Sequence, residues 1–393
     1  MTSPAPRFRF AILFLTVLID LIGFGILIPI LPYYAQHLGA NAVRIGLLFG
    51  IYSGMQFFST AVLGRLSDRV GRRPILLTTI VMNVAGCLLF AASHTYLVLF
   101  IARVFSGFGG GNISAAQAYV ADITTPAERS RGMGIIGAAF GIGFVLGPAI
   151  GGFAAHLYGP TAPALVAAGL SALNFVSAYF VLPESLHTSL RATRTLFDLS
   201  HLPRALRHEK LAPLMWAWGI AAFAFAGYTV ALPLWTGAQF GWRERELGWF
   251  FTLIGATAAI VQGGLFGRIA KRTGDRRLVI AGGFGMALAI AVVPALPTPA
   301  VLYAFTFVLA FANSIFVPAA TGLVSILADP TEQGTVLGAA QALSALGRLF
   351  GPIVLGQLYD VTSPAAAFVV AGCIMAGAAT ATIRLPEDHP RPV

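Results

Sequence analysis

The stretch Phe10-Ala-Ile-Leu-Phe-Leu-Thr-Val-Leu-Ile-Asp-Leu-Ile-Gly-Phe-Gly-Ile-Leu-Ile-Pro-Ile-Leu-Pro-Tyr-Tyr34 carries a single charged residue, Asp20. A helix that crosses the roughly 30 Å hydrocarbon core of a bilayer needs about 20 such residues. Backbone groups in lipid must bond to one another, and a single segment achieves this only as a helix. The stretch is too long for a signal peptide and has no small-residue cleavage site, so we expect it to be retained as a transmembrane helix.

Eleven further apolar stretches follow, separated by short polar breaks. The chain is 57% hydrophobic and 10% charged, whereas soluble domains carry about 25% charged residues. The sequence therefore predicts an all-α polytopic membrane protein with twelve transmembrane helices. Its spans are predicted near Phe10–Tyr34, Ile45–Leu66, Pro74–Ala92, Tyr96–Val120, Arg131–Leu157, Ala162–Leu182, Leu211–Trp235, Leu247–Ala270, Leu278–Leu296, Ala300–Leu327, Thr335–Leu358 and Ala365–Ile383.

The net charge of +10 follows the topology of the chain. With both termini in the cytoplasm, 20 of the 25 Lys and Arg residues fall on the cytoplasmic side, and Arg44, Arg243 and Arg245 fall on the other. This is the positive-inside distribution, and it argues against nucleic acid as a partner. The two cysteines, Cys87 and Cys373, lie in opposite halves, which excludes a disulfide or metal framework.

An internal repeat divides the chain into residues 1–182, a polar linker at 183–210 and residues 211–393. Gly147-Pro148 corresponds to Gly351-Pro352, and Pro126 corresponds to Pro330, at one constant offset. The loop that begins at Gly64 is repeated at Gly267 in a degenerate form. Such repeats are typical of secondary transporters. We therefore expect two pseudo-symmetric six-helix bundles.

Four motifs occur in order in the first half. They are the pattern from Asp20 to Pro32, the loop Gly64-Arg-Leu-Ser-Asp-Arg-Val-Gly-Arg-Arg73, Arg103 followed by Gly107, and the glycine-rich segment Gly137–Gly152. Together they resemble the major facilitator superfamily, and within it the twelve-helix drug/proton antiporters that include the tetracycline efflux pumps. The second half matches less well, because Lys271 stands where the loop motif has Asp.

Asp20 lies about ten residues into its span, roughly 15 Å deep. An ionised carboxylate there is costly unless it is protonated, paired or in a water-filled cavity. We predict that Asp20 binds the coupling proton; the alternative is a structural carboxylate satisfied by hydroxyls and amides. Arg103 keeps its charge and must face the interior. It tunes Asp20, binds substrate, or bonds backbone carbonyls.

Arg348 is a second fixed cation, placed where the first half has Phe144. Two cations and one carboxylate leave the interior positive when Asp20 is ionised, so we expect a cavity that favours anionic or strongly electronegative substrates. The alternative is that Arg348 only holds its own span in place. Uncharged candidates for the cavity share a position within a span and a polar or aromatic side chain: Gln56, Asn83, Asn112, Gln117, Asn174, Tyr228, Trp235, Gln262, Asn313 and Gln341.

The loop motif is predicted to form a cytoplasmic gate. Gly64 and Gly71 permit close packing and a sharp turn, and Asp68 can face the N-terminus of span eleven near Gly334–Gly338. Basic residues of the loop can pair with Asp122 or Glu128; these are Arg69, Arg72 and Arg73. A second motif is predicted to pack helices closely, through Gly143, Gly147, Pro148, Gly151 and Gly152.

The leading functional prediction is a proton-coupled exporter of small amphipathic molecules that works by alternating access. Uptake of a nutrient or organic anion by the same fold, a lipid or glycolipid flippase, and a non-transporting sensor remain alternatives. No catalytic cluster occurs, so an enzyme is not expected, and no cofactor is needed beyond a proton gradient. We expect a monomer in the inner membrane with both termini cytoplasmic.

Overall fold

The computed structural model describes residues 6–123, 129–185, 211–328 and 333–385. These residues are helical and form no β-strand in the ranges given. In the first half the helices are α1 (Pro6–Leu27), α2 (Leu31–His37), α3 (Ala42–Val70), α4 (Arg72–Ala91), α5 (Tyr96–Gly109), α6 (Asn112–Ile123), α7 (Arg129–Tyr158) and α8 (Ala162–Val181).

The second half contains α9 (Ala212–Phe240), α10 (Glu244–Ile260), α11 (Phe266–Thr273), α12 (Asp275–Ala291), α13 (Pro299–Leu327), α14 (Gln333–Val361) and α15 (Pro364–Thr382). A π-helical turn, Val261–Leu265, joins α10 to α11, and a 3₁₀ turn, Val293–Ala295, follows α12. Side-chain caps start several helices: Thr95, Thr298 and Ser363 each accept a hydrogen bond from a backbone N–H three residues on.

Nine helices in the described ranges are long and apolar enough to cross a membrane, or ten if the bent pair α1–α2 is one span. The predicted first span, Phe10–Tyr34, is therefore not straight. Its two parts meet at 46°, at the segment that contains Pro29. Proline removes a backbone donor and disrupts the helix that precedes it.

The predicted fourth span, Tyr96–Val120, is also interrupted. Helix α5 ends at Gly109 and α6 begins at Asn112, so Gly110 and Gly111 form a turn inside an apolar stretch. Glycine is the residue that most readily leaves helical geometry. The span predicted as one helix is therefore two shorter helices, α5 and α6.

The chain forms two compact units. The first contains the described residues of Met1–Gly39, Ile51–Asp198 and Glu244–Thr252, and the second contains those of Ala40–Gly50, Leu199–Arg243 and Leu253–Val393. In the first unit α1 packs on α7 and α8, and α4 packs on α5 and α8. In the second unit α9 packs on α14 and α15, and α12 packs on α13 and α15. The same pairs of helices thus meet in each unit.

Glycines allow the closest of these contacts. In the first unit a Cβ on Gly147 would lie 2.7 Å from Gly25 Cα, so α7 and α1 touch backbone to backbone. In the second unit a Cβ on Gly347 would lie 2.9 Å from the backbone nitrogen of Phe223, which brings α14 equally close to α9. Small residues at helix contacts are the usual means of packing in membranes.

Candidate functional site

Asp20 lies on α1, on the side of the helix that faces α4, α6 and α8. Two side-chain amides hold its carboxylate. Asn83 Nδ2 donates to Oδ1 over 3.3 Å, and Asn112 Nδ2 donates to Oδ2. The residue as a whole is half-buried. A polar group in the membrane interior is therefore paired through both oxygens.

Asn83 on α4 joins several polar groups together. Its Nδ2 also donates to Ser171 Oγ on α8 over 3.3 Å, and Cys87 Sγ lies 3.9 Å from its Oδ1. One turn along α1, Thr16 Oγ1 donates to Asn174 Oδ1 over 3.1 Å. Hydrogen bonds of this kind link membrane helices. The amides at 83, 112 and 174, predicted as cavity residues, thus bond to α1 within the first unit.

Arg103 on α5 is 2% exposed. Its guanidinium carbon lies 4.4 Å from the centre of the Tyr52 ring, which is cation–π geometry. Tyr52 stacks in turn on Phe24, with ring centres 4.8 Å apart. Phe24 is one helical turn from Asp20, so two rings connect the arginine to α1. Cys87 is close enough for electrostatic interaction with both Arg103 and Asp20.

The break in span four borders this cluster. Gln56 Nε2 on α3 donates over 3.3 Å to Gly110 O, a carbonyl at the break. A Cβ on Gly107 would lie 2.5 Å from Tyr52 O, and one on Gly109 would lie 2.8 Å from Thr79 O. Helices α3 and α4 therefore enclose the segment from both sides. The glycine run was the signal in the sequence, but periodicity alone does not locate a break.

The predicted gate residues form a network at the α3–α4 turn. Arg72 is 7% exposed; its Nη1 lies 2.5 Å from Asp68 Oδ1, and its Nε lies 3.1 Å from Asp122 Oδ2 on α6. Ser67 Oγ accepts a further bond from Arg72 Nη1 over 2.5 Å. The turn itself passes through Gly71, whose φ of 120° is the left-handed region that favours glycine. Glu128, a predicted partner, lies outside the described residues.

Glu184, which follows α8, also belongs to this network, although the sequence analysis did not select it. Its Oε1 accepts from Arg72 N over 2.8 Å and its Oε2 accepts from Arg73 N over 3.2 Å, so the carboxylate caps the N-terminus of α4. Carboxylates at this position interact favourably with the helix dipole. Beside it, Ser185 Oγ donates to Asp122 Oδ2 over 3.0 Å.

Arg73 connects α4 to α8 through a hydrogen bond and a cation–π contact. Its Nη2 donates to Tyr179 O over 2.6 Å, and its guanidinium carbon lies 5.4 Å from the Tyr179 ring centre. The second unit contains an equivalent hydrogen bond, in which Arg276 Nη2 donates to Ile383 O over 2.6 Å at the end of α15. Both arginines bind carbonyls at a helix C-terminus, where a cation is favoured.

Most of the remaining predicted cavity residues lie in the second unit, while Gln56 and Gln117 lie in the first. Arg348 is half-buried on α14, and its Nη1 donates to Ser344 Oγ over 2.8 Å. Tyr228 and Trp235 are buried, and both meet Phe368 edge to face, with ring centres 6.2 and 6.1 Å apart. The amides differ in exposure, with Gln56 and Asn313 half-buried and Gln117, Gln262 and Gln341 exposed. The described side chains contain no cluster of three or more His, Cys, Asp or Glu suited to a metal ion.

Comparisons with known proteins point to one family. The model of the Major Facilitator Superfamily matches residues 13–292 and 214–393. The chain is similar to the class C tetracycline resistance protein of Escherichia coli, with 31% identity over 366 residues, covering 88% of this chain and 89% of that protein. It is 28% identical over 361 residues to Multidrug resistance protein 2 of Bacillus subtilis (strain 168), covering 90% and 89%.

A solved structure supports the same relationship. The crystal structure of the human organic anion transporter MFSD10 (TETRAN) superposes with a TM-score of 0.73 and 26% sequence identity, covering 97% of this chain and 100% of that one. These relatives are transporters and not enzymes, in agreement with the sequence prediction.

Proposed function

Because this chain belongs to the Major Facilitator Superfamily, we propose that it is a proton-coupled secondary transporter that exports small amphipathic molecules by alternating access. The observation that carries the proposal is the carboxylate of Asp20, held inside the first unit by Asn83 and Asn112. Tetracycline and multidrug resistance proteins among the relatives support export.

Asp20 has the features that a transported proton requires. Ionised, it is stabilised by two amide donors; protonated, it no longer carries a charge into the low-dielectric interior. Arg103, linked to α1 through Tyr52 and Phe24, provides a fixed positive charge in the same unit. A site whose environment alternates can therefore load and release the proton.

The finer architecture also belongs to the proposal. We infer twelve spans in two six-helix bundles, 1–182 and 211–393, joined by the linker 183–210. The helix pairs that recur in the two units support this arrangement. We also propose that the protein is a monomer in the inner membrane. Its Lys and Arg distribution favours cytoplasmic termini. The network of Arg72, Asp68 and Asp122 then lies on the cytoplasmic side and acts as a gate.

A second candidate function is export or uptake of organic anions. It is favoured by Arg348, a half-buried cation on α14, together with the similarity to the human organic anion transporter. A planar guanidinium binds carboxylates in bidentate fashion, which suits an anionic substrate. The two functions share the fold and the proton site, and they differ in the charge of the molecule carried.

The test uses purified protein in proteoliposomes with an imposed pH gradient and a panel of cationic, neutral and anionic compounds. We expect gradient-dependent transport of at least one class, and we expect Asp20→Asn to abolish the dependence because the amide does not titrate. Asp20→Glu retains a titratable group and should restore part of it. Transport that is insensitive to the gradient, and equal in Asp20→Asn and the wild type, would refute the proton role.

A further inference from the structure

The break in span four lies where the proton site contacts it. Asn112, which donates to Asp20 Oδ2, is the first residue of α6, directly after the Gly110-Gly111 turn. The N-terminus of a half-helix carries partial positive charge, and broken transporter helices commonly direct such ends toward anions. The same residue therefore belongs both to the proton site and to the end of a helix.

The duplicated half of the chain lacks both features. Its corresponding span, α13, is one continuous helix from Pro299 to Leu327. It contains no charged residue and no glycine before Gly322, and apolar Ile315 and Phe316 occupy the level of Asn112. The two halves share their helix pairing. The break and the titratable carboxylate thus occur together in the first half. In the described residues of the other half, α13 has no break and α9, the counterpart of α1, has no charged residue.

Protonation of Asp20 changes what its neighbours must offer. An ionised carboxylate only accepts hydrogen bonds, and the two amides only donate to it. A protonated carboxyl carries no charge and presents an O–H donor, so the bonds that it accepts from the two amides become weaker. Asn83 is held at both ends, by Ser171 Oγ and by the thiol of Cys87. Asn112 is 2% exposed and directly follows the Gly110-Gly111 turn, so a change in its bond to Asp20 acts on the break itself.

We propose that Asn112 is a positioning residue that couples the proton on Asp20 to the break in span four. Ionised Asp20 holds the first turn of α6 through the Asn112 amide, and protonation releases that turn so that α5 and α6 change their mutual angle at Gly110-Gly111. The proposal rests on the proton-binding role proposed above for Asp20. Other titratable or charged groups face the site from α3, α4 and α5, namely Tyr52, Cys87 and Arg103.

Hydrogen exchange at backbone amides 108–116, measured by mass spectrometry against pH and corrected for the intrinsic rate, tests the coupling in the full-length protein. In the wild type we expect protection that falls by about tenfold when Asp20 is protonated, the loss of one charge-assisted hydrogen bond. Asp20→Asn should show the low protection at every pH. Asn112→Ala and Asn112→Leu should show the low protection at every pH as well.

The matched control is Asn174→Ala, which removes a buried amide that bonds α1 through Thr16 without touching Asp20; it should keep the pH-dependent protection. Exchange in Asn112→Ala or Asn112→Leu that keeps the wild-type pH dependence would overturn the coupling while leaving the proton role of Asp20 intact. Wild-type exchange without pH dependence would overturn it too. Gradient-dependent transport that persists in Asp20→Asn in the proteoliposome panel would instead overturn the proposed function.

Discussion

At the scale of single residues, the Asp20 cluster brings a carboxylate, two amides and an arginine into one unit, with two stacked rings between the arginine and α1. Asp20 and Arg103 were selected because charges inside an apolar span are costly. The stacked rings of Tyr52 and Phe24 that lie between Arg103 and α1 were not predicted. Aromatic residues are common throughout these spans, and only the fold shows which pair of rings meets the arginine.

Glu184 was missed for a related reason. A carboxylate at the start of a polar linker is a normal solvated residue by sequence. Its role depends on the position of α8 beside the start of α4, where Glu184 accepts from the backbone N–H groups of Arg72 and Arg73. The distance in sequence between the cap and the helix it caps exceeds any local motif.

We predict that Glu184→Ala lowers the stability of the first unit, because two N–H groups at the start of α4 lose their acceptor. The expected cost is about 1 kcal/mol, as for other N-terminal caps. Thermal unfolding in detergent measures it. Glu184→Gln, which keeps one acceptor oxygen, should lose less. An unfolding temperature of Glu184→Ala equal to that of the wild type would contradict the capping role.

At the scale of helices, the sequence predicted the element type correctly and the continuity of two elements wrongly. Hydropathy measures how apolar a segment is, and both parts of a broken span are apolar. It therefore does not reveal the break. The bend near Pro29 and the turn at Gly110-Gly111 depend on neighbours that satisfy the freed backbone groups, such as Gln56 at Gly110 O. Those neighbours come from a different helix and are invisible to periodicity.

Close packing of α1 on α7 leads to a prediction at the same scale. A Cβ on Gly151 would collide with the backbone oxygen of Ile26, which cannot move independently of its helix. Gly151→Ala should therefore separate the two helices and reduce both thermal stability and transport by a large factor. The control is Gly169→Ala on α8, where the space for a Cβ is open and the stability should be unchanged or raised by up to about 1 kcal/mol. Equal behaviour of the two variants would disprove tight α1–α7 packing.

At the scale of the whole molecule, duplication gave two units with the same helix pairs and different chemistry. The bonds of Arg73 and Arg276 recur in both units, whereas among the described residues Asp20 and the break at Gly110-Gly111 have no counterpart in α9 and α13. Arg348 also differs from its counterpart in the first half, which is the apolar Phe144. The Phe144 ring packs edge-on against Phe24, with ring centres 5.9 Å apart. The recurring helix pairs agree with the repeat in the sequence, but the distribution of chemistry between the units depends on side-chain contacts.

If Arg348 selects anions, its removal should change the preference among substrates more than the overall rate. We predict that Arg348→Gln reduces transport of anionic compounds by about tenfold relative to neutral compounds of the same size, the loss of one charged hydrogen bond. Arg348→Lys should retain part of the preference, because the charge remains while the planar fork is lost. The compound panel in proteoliposomes provides the measurement. An unchanged ratio of anion to neutral transport in Arg348→Gln would assign the residue to structure alone.

The cap formed by Glu184 also determines where the chain can be divided without removing a contact of the first half. Glu184 and Ser185 follow the last span and yet complete the α4 and α6 contacts, so a fragment cut at residue 182 would leave the start of α4 without its acceptor. A gene split for co-expression, or a fusion point for a reporter, therefore belongs after Ser185. The same reasoning applies to chimeras of related sequences. A chimera that exchanges the linker from residue 183 onward would replace Glu184, the acceptor at the start of α4, with the residue of another protein.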